Sequence, residues 1–238
     1  PPRSTLFPYT TLFRSGDVIA IVVGQKGTDR TITTGTNYNS GSGGGGTFVY
    51  RTSDNLYYVA AGGGGGAAAC TTNLLTTQNT ANGNVSTSNG STVLIQGGFR
   101  ANGGINGLGG NTSTRVQLMA GAGAGILSDG QETKGVGSNG RSRANNWIGG
   151  YITFNSVNTL PGGFGGGGAS GDSTNNATYT TYSWAGGGGG YSGGGGGGNG
   201  GSGDGQYGGG GGSYWIGTTI SSQTGGNRSN GYVTITKV

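Results

Sequence analysis

The sequence predicts a mainly β domain in which strands alternate with glycine runs in a threefold extended conformation, and essentially no α-helix. Three observations carry this. Glycine supplies 63 of the 238 residues, largely gathered into unbroken runs. Between the runs lie short segments rich in β-branched and aromatic residues, the composition of strands. Only four prolines occur and glycine does not recur at every third position, so a collagen triple helix is excluded.

The elements follow in chain order. Residues 1–15, PPRSTLFPYTTLFRS, hold three of the four prolines and no glycine. This stretch resembles translated sequencing-adapter read-through, and it is set aside as a non-native leader. A genuine extended leader or pairing strand is the alternative. Residues 16–238 then read as a single domain, since no linker-like change of composition divides them. GDVIAIVVG at 16–24 is a short apolar run bounded by glycine, as a buried strand would be. TFVY at 47–50 and LYYVA at 56–60 flank Ser53-Asp54-Asn55, a turn-forming trio, and predict a hairpin. STVLIQ at 91–96, RVQLM at 115–119 and YITF at 151–154 continue the strand pattern. In YVTITKV at 232–238, Val233 and Ile235 alternate with Tyr232, Thr234 and Thr236, the period of a half-buried strand.

Glycine costs about 0.5–1 kcal/mol relative to alanine inside a regular element, so composition alone favours disorder. The strand-like segments between the runs argue for order. An ordered glycine run holds a helix poorly and offers no side chain to a sheet. It can adopt the polyproline-II geometry, with amides and carbonyls pointing outward on three sides. Neighbouring chains then satisfy those groups directly, as burial requires. At roughly 3.1 Å per residue, the run 193–198 spans about 19 Å, enough to cross a small domain. The predicted core is backbone rather than side chain.

FVYRTSDNLYYVAAGGGGG (48–66), AGAGAGILSDG (120–130), GGFGGGGASG (162–171) and WAGGGGGYSGGGGGGNGG (184–201) follow one another in a characteristic order. This order resembles the glycine-rich extracellular domain of the anaplastic lymphoma kinase and leukocyte tyrosine kinase receptors and its bacterial, protist and phage relatives. GDVIAIVVGQKG and GYVTITKV look like the terminal strands of such domains. The resemblance covers nearly all of 16–238. It implies a polyglycine-II helix bundle beside antiparallel β-structure, and roles in ligand binding and cell-surface recognition. Glycine-rich phage tail-fibre adhesins use a similar scaffold to display loops. The sequence departs from the receptor pattern in lacking paired cysteines, and no ligand-contact motif matches residue by residue.

Several chemistries are excluded by composition. Without histidine there is no Ser-His-Asp or Cys-His unit and no imidazole metal site. The one cysteine, Cys70, forms no intrachain disulfide and is expected to be a small buried hydrophobe, an intermolecular bridge being the alternative. GxGxxG matches are expected by chance at this glycine content, and none sits in a strand–turn–helix context. The seven acids are dispersed; Asp129 and Glu132 share a turn that reads as a solvated loop. No catalytic, cofactor or metal residues are assigned, and no enzyme is expected. Losing Arg3 and Arg14 with the leader lowers the formal charge from +5 to +3. That mild balance argues against nucleic acid and an anionic membrane surface, and no stretch approaches the roughly 18 apolar residues of a membrane span.

Partner-binding candidates are the basic–aromatic loop residues Arg141, Arg143 and Trp147, and the aromatics Tyr179, Tyr182, Trp184, Tyr191 and Tyr207. Tyrosine and tryptophan among serine, glycine and asparagine make a paratope-like composition. The alternatives are a loop whose tryptophan packs on the domain, and aromatics that cap the glycine bundle. RNA stacking is disfavoured because no RGG occurs. Five Asn-X-Ser/Thr triplets, at Asn84, Asn89, Asn111, Asn176 and Asn227, give weak support to an extracellular setting. The expectation is an extracellular or virion/cell-surface recognition module that displays loops 71–91, 130–147 and 170–184 to a surface protein or glycan. The alternative is a structural subunit of a fibre or fibre tip, with the chain as a homo-oligomer.

Overall fold

A computed structural model describes residues 14–31, 39–68, 81–95, 99–112, 120–132, 138–151, 158–172, 184–197, 206–217, 222–225 and 228–236. Twelve short strands appear: β1 Ile19–Val22, β2 Asp29–Thr31, β3 Asn39–Gly41, β4 Thr47–Arg51, β5 Tyr57–Ala61, β6 Ala67–Ala68, β7 Val93–Ile95, β8 Phe99–Ala101, β9 Asn158–Leu160, β10 Ser170–Asp172, β11 Gln206–Tyr207 and β12 Tyr214–Trp215. A 3-10 turn covers Arg143–Asn145. Among the described residues there is no α-helix, as the composition predicts.

The expected hairpin forms. β4 and β5 pair antiparallel across a turn in which Asn55 takes a left-handed conformation at φ 59°, one that asparagine tolerates well. With β1 and β12 they build one antiparallel sheet in the order β1-β4-β5-β12. Its cross-strand rows run Val22–Phe48–Ala60–Tyr214 and Ala20–Tyr50–Tyr57 on one face, and Ile21–Val49–Val59–Trp215 on the other. The first face is the side-chain core: Phe48, Tyr50, Tyr57, Ala60 and Trp147 cluster there, with Ala20, Val22, Ile126, Tyr191 and Tyr214 packed against them.

The glycine runs hydrogen-bond to one another with a repeat of three residues. Gly186 and Gly189 donate to the carbonyls of Gly41 and Gly44; Gly187 and Gly190 donate to Gly121 and Ala124; Gly188 and Tyr191 donate to Gly209 and Gly212. On its acceptor side the same run takes bonds from Gly66 and Gly63, from Gly168 and from Gly194. Residues three apart therefore address the same neighbour, shifted by three. The run 120–125 repeats the rule: Ala120 and Gly123 donate to Gly197 and Gly194, and Gly121 and Ala124 to Ala169 and Gly166. Backbone groups that burial would leave costly are satisfied by other backbones. The close approach also explains the residue type. A Cβ placed on Gly43, Gly123, Gly194 or Gly208 would collide with the carbonyl oxygen of Gly187, Gly188, Gly209 or Gly186 respectively.

The register gives this lattice two unlike ends. Runs 41–46, 120–125, 186–190 and 208–212 point the same way, while 62–66, 165–168 and 193–197 run against them. At one end 41–46 leads into β4, 208–212 leads into β12, and 62–66 departs from β5. The four-stranded sheet therefore caps that end, where the chain also turns tightly at 105–108, 126–129, 143–147 and 164–166. At the opposite end stand four two-stranded ribbons, β2–β3, β6–β11, β7–β8 and β9–β10. There the described chain joins the connections 32–38, 69–80, 96–98, 113–119, 133–137, 152–157, 173–183 and 198–205.

Three strand expectations differ in outcome. The stretch 115–119 and residues 152–154 lie outside the described residues, as does Cys70. Residues 232–236 are described and form no strand: Gly231 donates to the Gly24 carbonyl, but no backbone ladder continues from it. The ribbons β2–β3, β9–β10 and β6–β11 were not foreseen, because their Asn, Ser, Thr, Gly and Ala residues carry little strand signal.

Candidate functional site

The basic–aromatic loop can be built from its acid. Asp129 leaves the run 120–125 through a turn and accepts from the Ser142 amide at 2.7 Å, the Asn145 side-chain amide at 2.7 Å and the Arg141 guanidinium at 3.1 Å. Partial burial works to raise its pKa, but these donors outweigh it and hold the carboxyl below its ordinary value. Asp129 thus ties down the 3-10 turn at Arg143–Asn145. The chain then passes through two left-handed residues, Asn146 at φ 61° and Trp147 at φ 58°. A tryptophan in that region is strained. The strain is tolerated because the ring is driven inward: Trp147 is 4% exposed and stacks on Phe48. The preceding Arg143 lays its guanidinium over the Tyr50 ring at 4.6 Å. Burial pushes the neighbouring Tyr57 phenol up to about 12, against the opposing pull of Arg143.

The structure therefore brings Arg141, Arg143 and Trp147 together, but as a structural clasp. Trp147 is core, Arg141 pairs with Asp129 and Arg143 lies over Tyr50, which is the alternative of a loop whose tryptophan packs on the domain. Within 130–147, Ser138 and Gly140 bond into the lattice through Ala169 and Ala122, and residues 133–137 lie outside the described residues. Of the remaining candidates, Trp184 is 1% exposed and Tyr207 is 7% exposed, so both are buried. Trp184 stands where the run 186–190 begins, and Tyr207 pairs with Ala67 in the β6–β11 ribbon. Tyr191 stacks on Tyr214 at 4.7 Å between centroids, half-buried beside the core. Tyr179 and Tyr182 lie outside the described residues.

Three further acids are engaged by cations. Asp17 and Asp54 flank Arg51, at 3.2 Å and 2.6 Å, and Asp29 pairs with Lys26. Sequence reasoning missed Asp129 as the organiser of its loop. The signal was present, however: an acid thirteen residues before Ser142, at the end of a glycine-alternating run.

No helix of the described structure is long and apolar enough to cross a membrane. No protein-family model matches the chain, nor does any curated protein or any solved structure.

Proposed function

We propose that the protein is a non-enzymatic recognition or adhesion module of a cell or virion surface. Its scaffold is a bundle of polyglycine-II helices, and its polar connections meet a surface protein or glycan. Support for the helix bundle comes from the repeat of three in the hydrogen bonds of runs 120–125 and 186–190. One observation carries the functional reading: eight connections join the lattice at a single end, opposite the four-stranded sheet. Several of them, such as TTNLLTTQNT at 71–80 and STNNATYTTYS at 173–183, are rich in Asn, Ser, Thr and Tyr. A backbone lattice has no side chains of its own to spend on recognition. The described chain enters and leaves polar, tyrosine-bearing segments at that end, which supports giving that work to them.

The test is to replace residues 173–183, which carry Tyr179 and Tyr182, with a Gly/Ser segment of equal length. Binding to a glycan array and to intact cells is then measured beside the melting temperature. The expected result is loss of at least tenfold in binding with an unchanged melting temperature. Wild-type protein that binds nothing on either platform would sink the reading, and so would a variant that binds as well as the parent.

A second reading, a subunit of an extracellular fibre, is favoured by the apolar row Ile21–Val49–Val59–Trp215 on the outer sheet face, where Ile21, Val59 and Trp215 are exposed. Sedimentation that shows an ordered oligomer at micromolar concentration would support it.

A further inference from the structure

Among the described residues the β1 edge of the sheet is unfilled, and its hydrogen-bonding groups can be located residue by residue. Thr52 donates to the Val18 carbonyl at 3.0 Å, in register with Ile19↔Arg51 and Ile21↔Val49. In an antiparallel pair, residues alternate between those that exchange bonds with the partner and those that face away. Val18, Ala20 and Val22 therefore face β4, which leaves the amides and carbonyls of Ile19 and Ile21 pointing outward. The same alternation is obeyed on the other side of β4, where Arg51 donates to Leu56 and so faces β5. Among the described residues, no bond fills the Ile19 and Ile21 edge.

The segment that fits this edge already begins beside it. Gly231 donates to the Gly24 carbonyl at 2.7 Å, and the Lys26 amide donates to Asn230 Oδ1 at 2.9 Å. The next five residues, Tyr232-Val-Thr-Ile-Thr236, alternate apolar and polar, yet Tyr232 is 79% exposed and Ile235 is 62% exposed. At roughly 3.3 Å per residue they extend about 17 Å, the length of the β1 edge. Continuing antiparallel from Gly231 opposite Gly24, Thr234 and Thr236 fall opposite Ile21 and Ile19, so Val233 and Ile235 fall beside Val22 and Ala20 on the face of Phe48, Tyr50 and Ala60. That face is already apolar, so the alternation of the segment matches the face it would join.

We propose that the β1 edge is a strand-accepting site whose occupant is this chain's own segment 232–236, added antiparallel as a fifth strand. Tethering at Gly231 gives it the advantage over any other strand, because closure is intramolecular. The filled edge also removes an exposed ladder that would otherwise template edge-to-edge association.

Amide hydrogen exchange of the full chain tests this, with a variant ending at Gly231 and with Thr234→Pro, which removes the ladder donor opposite Ile21 at an exposed position. In the full chain the Ile19 and Ile21 amides should exchange at least about tenfold more slowly than unprotected amides, independently of protein concentration. Both variants should lose that protection while Phe48 and Ala60 keep theirs. Unprotected Ile19 and Ile21 in the full chain would overturn the proposal. So would protection that survives both changes. Protection that disappears on dilution would assign the edge to a second copy and would overturn it equally.

Discussion

The Phe48 and Trp147 rings stack with 4.1 Å between centroids and 20° between their planes, joining residues that are far apart in sequence. The contact links the β4 strand to a loop that leaves the glycine lattice. It is where the side-chain core and the backbone core are fastened together. Trp147→Ala removes a buried aromatic from a small cluster and is expected to destabilise the fold by about 3–5 kcal/mol. Urea unfolding followed by far-UV circular dichroism measures this. A loss under 1 kcal/mol would mean that the loop is not fastened there.

Glycine substitutions should divide by position rather than by residue type. A Cβ at Gly194, Gly195 or Gly196 would strike the carbonyl oxygens of Gly209, Ala101 and Ala120. These three variants to alanine are each expected to cost about 1–3 kcal/mol, as overpacking does. At Gly44 the nearest atom to an added Cβ is 3.5 Å away. Gly44→Ala should be neutral or stabilising by about 0.4–1 kcal/mol, because alanine restricts the unfolded chain. Equilibrium unfolding of the four variants gives the signs, and a uniform effect would contradict the lattice.

Acid stability follows from the Arg51 cluster. Hydrogen bonding from Arg51 holds the Asp54 carboxyl at about 2, against an ordinary 3.8. The Arg14 amide and Arg51 likewise lower Asp17. A carboxylate with a depressed folded pKa stabilises the fold above its unfolded value and loses that contribution as pH falls through the folded one. The melting temperature should therefore drop between about pH 4 and pH 2. Arg51→Met should flatten this part of the profile, and an unchanged slope would show that the cluster does not contribute.

Residues 1–15 should be dispensable. Arg14 donates through its amide to Asp17, at an exposed site, and Asp17 retains Arg51 when Arg14 is removed. Deleting 1–15 is expected to leave the melting temperature unchanged within error. A drop of several degrees in differential scanning calorimetry would show that the leader packs on the domain.

Some of this protein is legible in its sequence. The strands β1, β4, β5 and β7 follow from local runs of β-branched and aromatic residues, and the turn at Asn55 follows from its neighbours. The exclusion of helix follows from glycine content, because these are properties of single residues and short windows. The pairing of the glycine runs is not local in that sense. A glycine run has no side chain to distinguish one neighbour from another, so nothing in GGGGG at 186–190 specifies Gly41, Gly121 and Gly209 as its acceptors. That choice is made where the runs end, by the β4–β5 hairpin, the ribbons and the tight turns that fix each run's direction and height. The same limit explains Trp147. Its neighbours Arg141 and Arg143 make it look like a surface contact, and only Phe48 and Asp129 reveal it as core. Local composition determined which segments could be strands and which could be close-packed backbone; the hydrogen bonds between distant backbones decided where each one lies.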